Sequence, residues 1–133
     1  MRFAGYAALF DRRDAGCDVI RPGAFARSLA ARRAGGLGRL PLCWQHRPEL
    51  RVGWIERAVE DARGLRVIAS LDDPRGRAAE ALRRHAIDGL SFGYRARDYR
   101  RDVKGRELTE IDLFEVSLVT HPMQHAARVH LIA

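Results

Sequence analysis

Residues 107–120 read ELTEIDLFEVSLVT and form the longest strand-like segment of the chain. Apolar and polar residues alternate along this segment, which is typical of a strand with one buried face. Strict alternation predicts that Phe114 and Val116 share one face and that Leu113 and Glu115 share the other. A buried carboxylate without a partner is costly, so we expect Glu115 to meet either an arginine or a histidine imidazole.

Shorter strand-like segments surround this one and are separated by turn signals. They span residues 2–10, 17–21, 40–44, 52–60, 65–71, 89–97 and 127–132. Apolar stripes at helical spacing predict helices over residues 24–33 and from residue 73 to about residue 86. We expect Gly35, Gly36 and Gly38 to end the first helix, and Gly64 to adopt a positive φ in a hairpin turn. The pattern predicts an α+β fold, a mainly antiparallel β-barrel of about seven strands flanked by two or more helices.

The composition fits one globular domain. The chain has 133 residues, of which 47% are hydrophobic and 31% are charged, so we expect a single domain over residues 1–133. No apolar run approaches the roughly 18 residues that a membrane span needs. The first 14 residues, MRFAGYAALFDRRD, lack the pattern of a signal peptide. Cys17 and Cys43 fit the reduced thiols of a cytosolic protein, and without a CxxC pair no structural zinc is expected.

The basic surplus of the chain is carried almost wholly by arginine. Lys+Arg is 24 and Asp+Glu is 17, which gives a formal charge of +7, and Lys104 is the only lysine. A basic domain can bind nucleic acid or another polyanion. A codon-biased genome that uses arginine in place of lysine explains the same surplus. The near absence of lysine and of a dense basic tract favours the second explanation, so nucleic acid is not expected as a partner.

Ser91 and His46 are the residues best suited to nucleophilic chemistry. Ser91 lies in GLSFGY, residues 89–94, where glycines leave the backbone around the hydroxyl bare. Such glycines indicate either a tight strand crossing or room for another backbone, such as a substrate strand. His46 follows the strand over residues 40–44, and an imidazole with an ordinary pKa near 6.5 can take a proton from a serine. Alternatively, His46 is a packing or surface histidine.

The other histidines do not form a metal site. His85 lies near the end of the second predicted helix, and His130 is alone in the last strand. His121 and His125 are four residues apart, but Pro122 between them prevents a helical pair of ligands. We therefore expect no metal and no cofactor.

Five short stretches together carry a resemblance to a known family. They are FAGYA (residues 3–7), DVIRPGAF (18–25), LPLCWQH (40–46), GLSFGY (89–94) and EVSLVT (115–120). In this order and spacing they resemble the prohead proteases of tailed phages, the capsid maturation serine proteases that also occur in prophages and gene transfer agents. The match runs over nearly the whole chain. That family is related in fold to the herpesvirus assembly proteases, so the resemblance implies a β-barrel core flanked by helices.

The resemblance also implies a set of catalytic residues. The serine of the Gly-Leu-Ser motif is the nucleophile in the family, and it corresponds to Ser91. The histidine after the Leu-Trp-Gln stretch is the general base and corresponds to His46. We assign the third member of the triad, the group that orients the histidine, to Glu115 of the Glu-Val-Ser-Leu-Val motif. The herpesvirus triad uses a second histidine, but family members often carry an apolar residue at the position of His121, which is therefore not assigned.

The function implied by the resemblance is that of a serine endopeptidase. It would cleave scaffold segments, the N-terminal part of the major capsid protein, or both, during prohead maturation. Its partners would be these capsid and scaffolding proteins, and its location the cytoplasm, inside the immature prohead or a virion-like particle. Backbone amides, or Arg95 and Arg97 on the predicted face of Ser91, would stabilise the oxyanion. Homodimerisation or higher oligomerisation stays open. A different class of function is a non-enzymatic basic β-barrel that binds in capsid assembly or DNA packaging.

Overall fold

The computed structural model describes residues 1–35 and 38–133, and this part of the chain forms eight strands and two helices. In chain order they are β1 (Arg2–Leu9), β2 (Asp18–Ile20), α1 (Ala26–Arg33), β3 (Leu40–Trp44), β4 (Arg47–Glu60), β5 (Gly64–Leu71), α2 (Arg77–Arg83), β6 (Gly89–Asp102), β7 (Gly105–Val119) and β8 (Val129–Ile132). Within these residues, neither helix has the length and apolar character that crossing a membrane requires.

The order of strands and helices predicted from the sequence is confirmed, with differences at their ends. The second helix is shorter than expected because Asp73 and Gly76 form a turn before it, with the Gly76 N–H donating to the Asp73 carbonyl at 3.1 Å. Residues 47–50, which lie between two of the segments predicted as strands, open strand β4. Gly64 does not adopt a positive φ; a Cβ there would overlap the Ala8 carbonyl of β1 instead. The predicted helix-ending Gly36 lies outside the described residues.

Strand β7 is the centre of one mixed sheet. One of its edges pairs antiparallel with β6, from Gly89 opposite Val119 to Asp102 opposite Gly105. Its other edge pairs in parallel with β2 near the start of β7 and with β3 near the end. From β3 the sheet continues through β4, β5, β1 and β8 by antiparallel pairing. The sheet curls, and a bridge between Gly89 and Arg128 links the start of β6 to the chain entering β8.

The predicted mainly antiparallel barrel is therefore correct only in part. The described strands form a curled half-barrel with eight strands, two of which pair in parallel with β7. The chain runs from β2 through α1 to β3, so both strands meet the same edge of β7 in the same direction, as strands joined by a helix do. The alternation of side chains is the same in parallel and antiparallel strands, so the sequence pattern does not reveal this difference.

A bulge in β7 changes which of its residues face the core. The register against β6 skips Phe114, which lies between the paired residues Leu113 and Glu115. Leu113 and Val116 are therefore both buried, whereas Phe114 is 50% exposed. The predicted face shared by Phe114 and Val116 is wrong because one extra residue exchanges the inward and outward positions of a strand.

Helix α1 fixes β6 and β7 from the core side. The Ser28 hydroxyl accepts the Leu113 N–H at 2.9 Å, and both residues are buried. At the start of α1, the Phe25 ring meets the Phe92 ring of β6 edge-on, with centroids 5.4 Å apart. Burial of these apolar side chains anchors the two strands. The opposite face of β6 and β7 carries the polar residues of the GLSFGY and EVSLVT stretches.

Candidate active site

The turn between β3 and β4 consists of Gln45 and His46, and both residues have a left-handed backbone. Their φ angles are 53° and 61°, the conformation of a two-residue hairpin turn. This conformation costs a residue other than glycine about 1 kcal/mol. The turn is held against the end of β7: the Gln45 N–H donates to the Leu118 carbonyl at 2.9 Å, and the Gln45 amide donates to Thr120 Oγ1 at 2.6 Å. The position of His46 is thus fixed by the sheet.

The imidazole of His46 is hydrogen-bonded to the carboxylate of Glu115. The distance between His46 Nδ1 and Glu115 Oε1 is 2.6 Å. The side chain of Glu115 is 14% exposed and that of His46 is 41% exposed. Of the two partners that the sequence left open for Glu115, the structure provides the imidazole. The hydrogen bond to Glu115 raises the pKa of His46 above its ordinary value of 6.5, against the opposing effect of partial burial.

This pairing defines the proton positions of the neutral imidazole. An ionised carboxylate can only accept hydrogen bonds, so the ring proton is on Nδ1, and Nδ1–H donates a hydrogen bond to Glu115. The lone pair of the neutral ring is then on Nε2. Within residues 1–35 and 38–133, Nε2 of His46 has no hydrogen bond, so it is available to accept a proton.

Ser91 lies on the same face of the sheet as Glu115. In the pairing of β6 with β7, Ser91 is opposite Ser117 and Gly93 is opposite Glu115. Residues directly opposite each other on neighbouring strands share a face. Ser91 is 4% exposed, and its hydroxyl has no hydrogen bond among the residues that the structure describes. The structure thus brings His46 and Glu115 into contact and places Ser91 on the adjacent strand, without a hydrogen bond to His46.

Gly93 provides the space for the carboxylate of Glu115. A Cβ on Gly93 would overlap Oε1 of Glu115 and would lie 3.0 Å from its Cδ and Cγ. At Gly89 a Cβ would lie 2.9 Å from Cδ of Pro122. Both glycines of the GLSFGY stretch therefore make room for neighbours within the chain, one of which belongs to the candidate site.

Comparison with known proteins identifies the family. The sequence pattern of the caudovirus prohead serine protease family matches residues 1–133, which is the whole chain. The chain belongs to this family. The prohead protease of Enterobacteria phage HK97 is 31% identical over 134 residues, covering 96% of this chain and 58% of that relative. The family resemblance read from the sequence is confirmed, and this prohead protease family member spans less than two thirds of the HK97 protein.

Two herpesvirus protease structures share the fold of this family member. The KSHV protease, solved with a hexapeptide phosphonate inhibitor, matches with a TM-score of 0.65 and 13% identity, over 99% of this chain and 64% of that one. The varicella-zoster virus protease matches with a TM-score of 0.62 and 16% identity, over 97% of this chain and 62% of that one. The expected relation in fold to herpesvirus assembly proteases is confirmed.

Ser117 is a site residue that the sequence analysis missed. It is 0% exposed, its hydroxyl donates to Glu115 Oε2 at 2.6 Å, and it accepts the His46 backbone N–H at 3.1 Å. The available signal was its spacing, two residues from Glu115 in a strand, which puts both side chains on one face. The contact with His46 spans 71 positions in the chain and has no local signal.

The two arginines that the sequence suggested for stabilising the oxyanion form ion pairs with another residue. Arg95 and Arg97 both contact Asp112, at 3.2 and 3.1 Å. The extra residue at Phe114 belongs to β7, so alternation along β6 still runs from Ser91 to Arg95, whereas the register of β6 skips Arg97. His121 is exposed. In the part of the chain that the structure describes, no group of three or more His, Cys, Asp or Glu residues could hold a metal ion.

Proposed function

We propose that this chain is a serine endopeptidase of prohead maturation in which Ser91 is the nucleophile, His46 the general base and Glu115 the residue that orients the base. The observation that carries the proposal is the 2.6 Å hydrogen bond between His46 Nδ1 and Glu115 Oε1, on the face of the sheet that also presents Ser91. A nucleophile, a base and a third group that orients the base are the three parts that acyl transfer by a serine requires. Membership of the prohead serine protease family supports the same roles.

The reaction would begin with transfer of the Ser91 hydroxyl proton to His46 Nε2. The Ser91 oxygen forms a bond to the carbonyl carbon of the scissile peptide, and the carbonyl oxygen takes the negative charge. The imidazolium then gives its proton to the leaving amine as the C–N bond breaks, which leaves an ester on Ser91. Water, deprotonated by the same imidazole, attacks the ester, and the proton returns to the Ser91 oxygen as the acid product leaves. Backbone amides are the donors for the oxyanion in this scheme.

Glu115 contributes by fixing the ring and by its charge. The hydrogen bond to Nδ1 selects the tautomer with its lone pair on Nε2, as a triad carboxylate does. The negative carboxylate also stabilises the imidazolium that forms when Ser91 loses its proton. This is consistent with the raised pKa of His46, for which the hydrogen bond to Glu115 is the main cause.

The substrates we propose are scaffold segments and the N-terminal part of the major capsid protein, cut inside the immature prohead. The basis is the family and the HK97 relative, which is a prohead protease. The major capsid protein and the scaffold would then be the partners of this chain.

The test compares the wild-type protein with Ser91→Ala and His46→Ala. Each is incubated with candidate capsid and scaffold proteins, and the products are mapped by mass spectrometry. A fluorophosphonate probe measures nucleophilic serine without any substrate. We expect each substitution to reduce cleavage by about 10⁴-fold or more, and Ser91→Ala to abolish labelling. Ser70→Ala, a half-buried strand serine, and His85→Ala, an exposed histidine, are matched controls that keep full activity.

Undiminished cleavage by Ser91→Ala would overturn the assignment of the nucleophile. Labelling without cleavage of capsid or scaffold proteins would overturn the proposed substrates but not the site. If the protein is neither labelled nor able to cleave and instead binds DNA in a salt-sensitive manner, it is a basic binding module.

A further inference from the structure

The hydroxyl of Ser117 joins two parts of the candidate site that are distant in the sequence. Its proton is donated to Glu115 Oε2 at 2.6 Å, and its oxygen accepts the backbone N–H of His46 at 3.1 Å. The residue is 0% exposed, so water does not compete for these bonds. A serine hydroxyl has one proton to donate and lone pairs to accept, and both capacities are used here.

The backbone of His46 has a conformation that requires stabilisation by its surroundings. Gln45 and His46 form consecutive left-handed residues, a conformation that neither side chain favours. Strained backbone persists at functional sites only where the surroundings hold it. The bond from the His46 N–H to Ser117 acts on the second of these residues, directly at the backbone that carries the imidazole.

The carboxylate of Glu115 is held at both oxygens. Oε1 receives the His46 Nδ1–H and Oε2 receives the Ser117 hydroxyl, each at 2.6 Å. Without Ser117, rotation of the carboxylate about its terminal torsion would be limited only by its contact with the imidazole, and that torsion is intrinsically broad. Ser117 thus fixes the plane of the carboxylate that orients the imidazole.

We propose that Ser117 is a positioning residue, which locks the backbone of His46 and the carboxylate of Glu115 into one unit so that the imidazole is held in a single orientation and tautomer. This inference rests on the proposed function and adds a fourth residue to it. Ser117 itself is not a second nucleophile, because its hydroxyl is fully buried and bonded on both sides.

The experiment compares Ser117→Ala with Ser28→Ala. Ser28 is the matched control: it is a buried serine, 4% exposed, whose hydroxyl also accepts a backbone N–H, that of Leu113 in the same strand β7. Each substitution therefore removes the acceptor of one backbone N–H, that of His46 for Ser117→Ala and that of Leu113 for Ser28→Ala, and Ser117→Ala also removes the donor to Glu115 Oε2. Thermal unfolding of both variants measures the structural cost of each substitution, so that the site readouts are compared at a known loss of stability.

Two readouts separate positioning from general stability. Nitrogen-15 NMR of the His46 ring, which reports the tautomer without any catalytic step, is expected to change from one predominant Nδ1–H form to a mixture in Ser117→Ala only. The rate of fluorophosphonate labelling at Ser91 is expected to fall about tenfold or more in Ser117→Ala, the scale on which partners that orient a histidine act elsewhere. Ser28→Ala keeps the wild-type tautomer and a labelling rate within about twofold.

The wild-type protein supplies a measurement that does not depend on any variant folding. The His46 amide lies in an exposed turn, yet it should exchange with deuterium slowly because its acceptor is buried. Rapid exchange of this amide overturns the inference, as does a wild-type tautomer and labelling rate in Ser117→Ala. An equal loss in Ser28→Ala also overturns it. If the wild-type protein is not labelled at Ser91 at all, the proposed function fails, whereas the tautomer and exchange results still decide the role of Ser117.

Discussion

Replacement of Gly93 by alanine adds a single methyl group beside the carboxylate of Glu115. The backbone of Gly93 does not have a positive φ, so alanine can adopt its conformation without strain. The new Cβ would, however, overlap Oε1 of Glu115 and lie 3.0 Å from its Cδ, where ordinary contacts begin at 3.4 Å. The carboxylate must therefore move away from β6.

The expected loss of activity follows from these distances. The carboxylate carbon must retreat by about 0.4 Å and the overlapped oxygen by more. Glu115 holds His46 through Oε1 and Ser117 through Oε2, each at 2.6 Å, so no such movement preserves both bonds. A misplacement of about 1 Å in a catalytic group costs about 10²-fold in rate. The stability of the fold should change by less than about 1 kcal/mol, because alanine also reduces the entropy of the unfolded chain.

The assay is the rate of fluorophosphonate labelling at Ser91, with thermal unfolding as the measure of stability. A double-mutant cycle with Glu115→Ala provides the control. When the side chain at position 115 ends at its Cβ, the methyl group added at position 93 has no carboxylate to displace. Gly93→Ala in this background should therefore change the labelling rate by less than about twofold.

Two results would refute the reasoning on Gly93. One is a wild-type labelling rate in Gly93→Ala, which would mean that the carboxylate position does not matter. The other is a loss that adds in full to that of Glu115→Ala, which would mean that the methyl group acts through something other than the carboxylate.

Two further predictions concern pH and stability. Labelling requires neutral His46, so its rate should rise with pH through the raised pKa of His46, and Glu115→Gln should move that rise to lower pH, towards 6.5; an unmoved rise would contradict a role for Glu115 in setting this pKa. Asp18 is buried and receives two hydrogen bonds from Arg106, at 2.9 and 2.8 Å, which hold the pKa of its carboxyl below the usual range. Asp18→Asn should therefore lower the free energy of unfolding by about 2 kcal/mol at neutral pH. This extra stability of the wild-type protein should be present above the pKa of the Asp18 carboxyl in the unfolded chain, and it should vanish as the pH falls through the pKa of that carboxyl in the folded protein. Equal urea midpoints for the wild-type protein and Asp18→Asn at pH 7 would contradict the prediction.

Local patterns were sufficient for the order of strands and helices. The segments over residues 40–44 and 65–71 are short apolar or alternating runs between turn residues, and both are strands close to their predicted ends. The ends of α2 were less predictable, because Asp73 and Gly76 favour a turn over a first helical turn. Each of these strands and helix ends depends on residues that are close together in the sequence.

The pairing of strands depended on contacts that alternation does not encode. Parallel pairing of β2 and β3 with β7 follows from the path of the chain through α1. The bulge at Phe114 depends on the register against β6, and a one-residue shift is enough to exchange the faces of a strand. The sequence alone therefore indicated a buried strand around Glu115 but assigned the neighbouring Phe114 to the wrong face of that strand.

The sequence by itself determined the chemical candidates of this protein and its family, since a serine between glycines, a histidine after an apolar strand and a carboxylate in a strand are local patterns. Only the tertiary structure decided that the partner of Glu115 is His46 rather than an arginine, and that Ser117 bonds to both. The physical reason is distance along the chain. His46 and Glu115 are 69 positions apart, and only the parallel pairing of β3 with β7 brings the turn after β3 to the carboxylate.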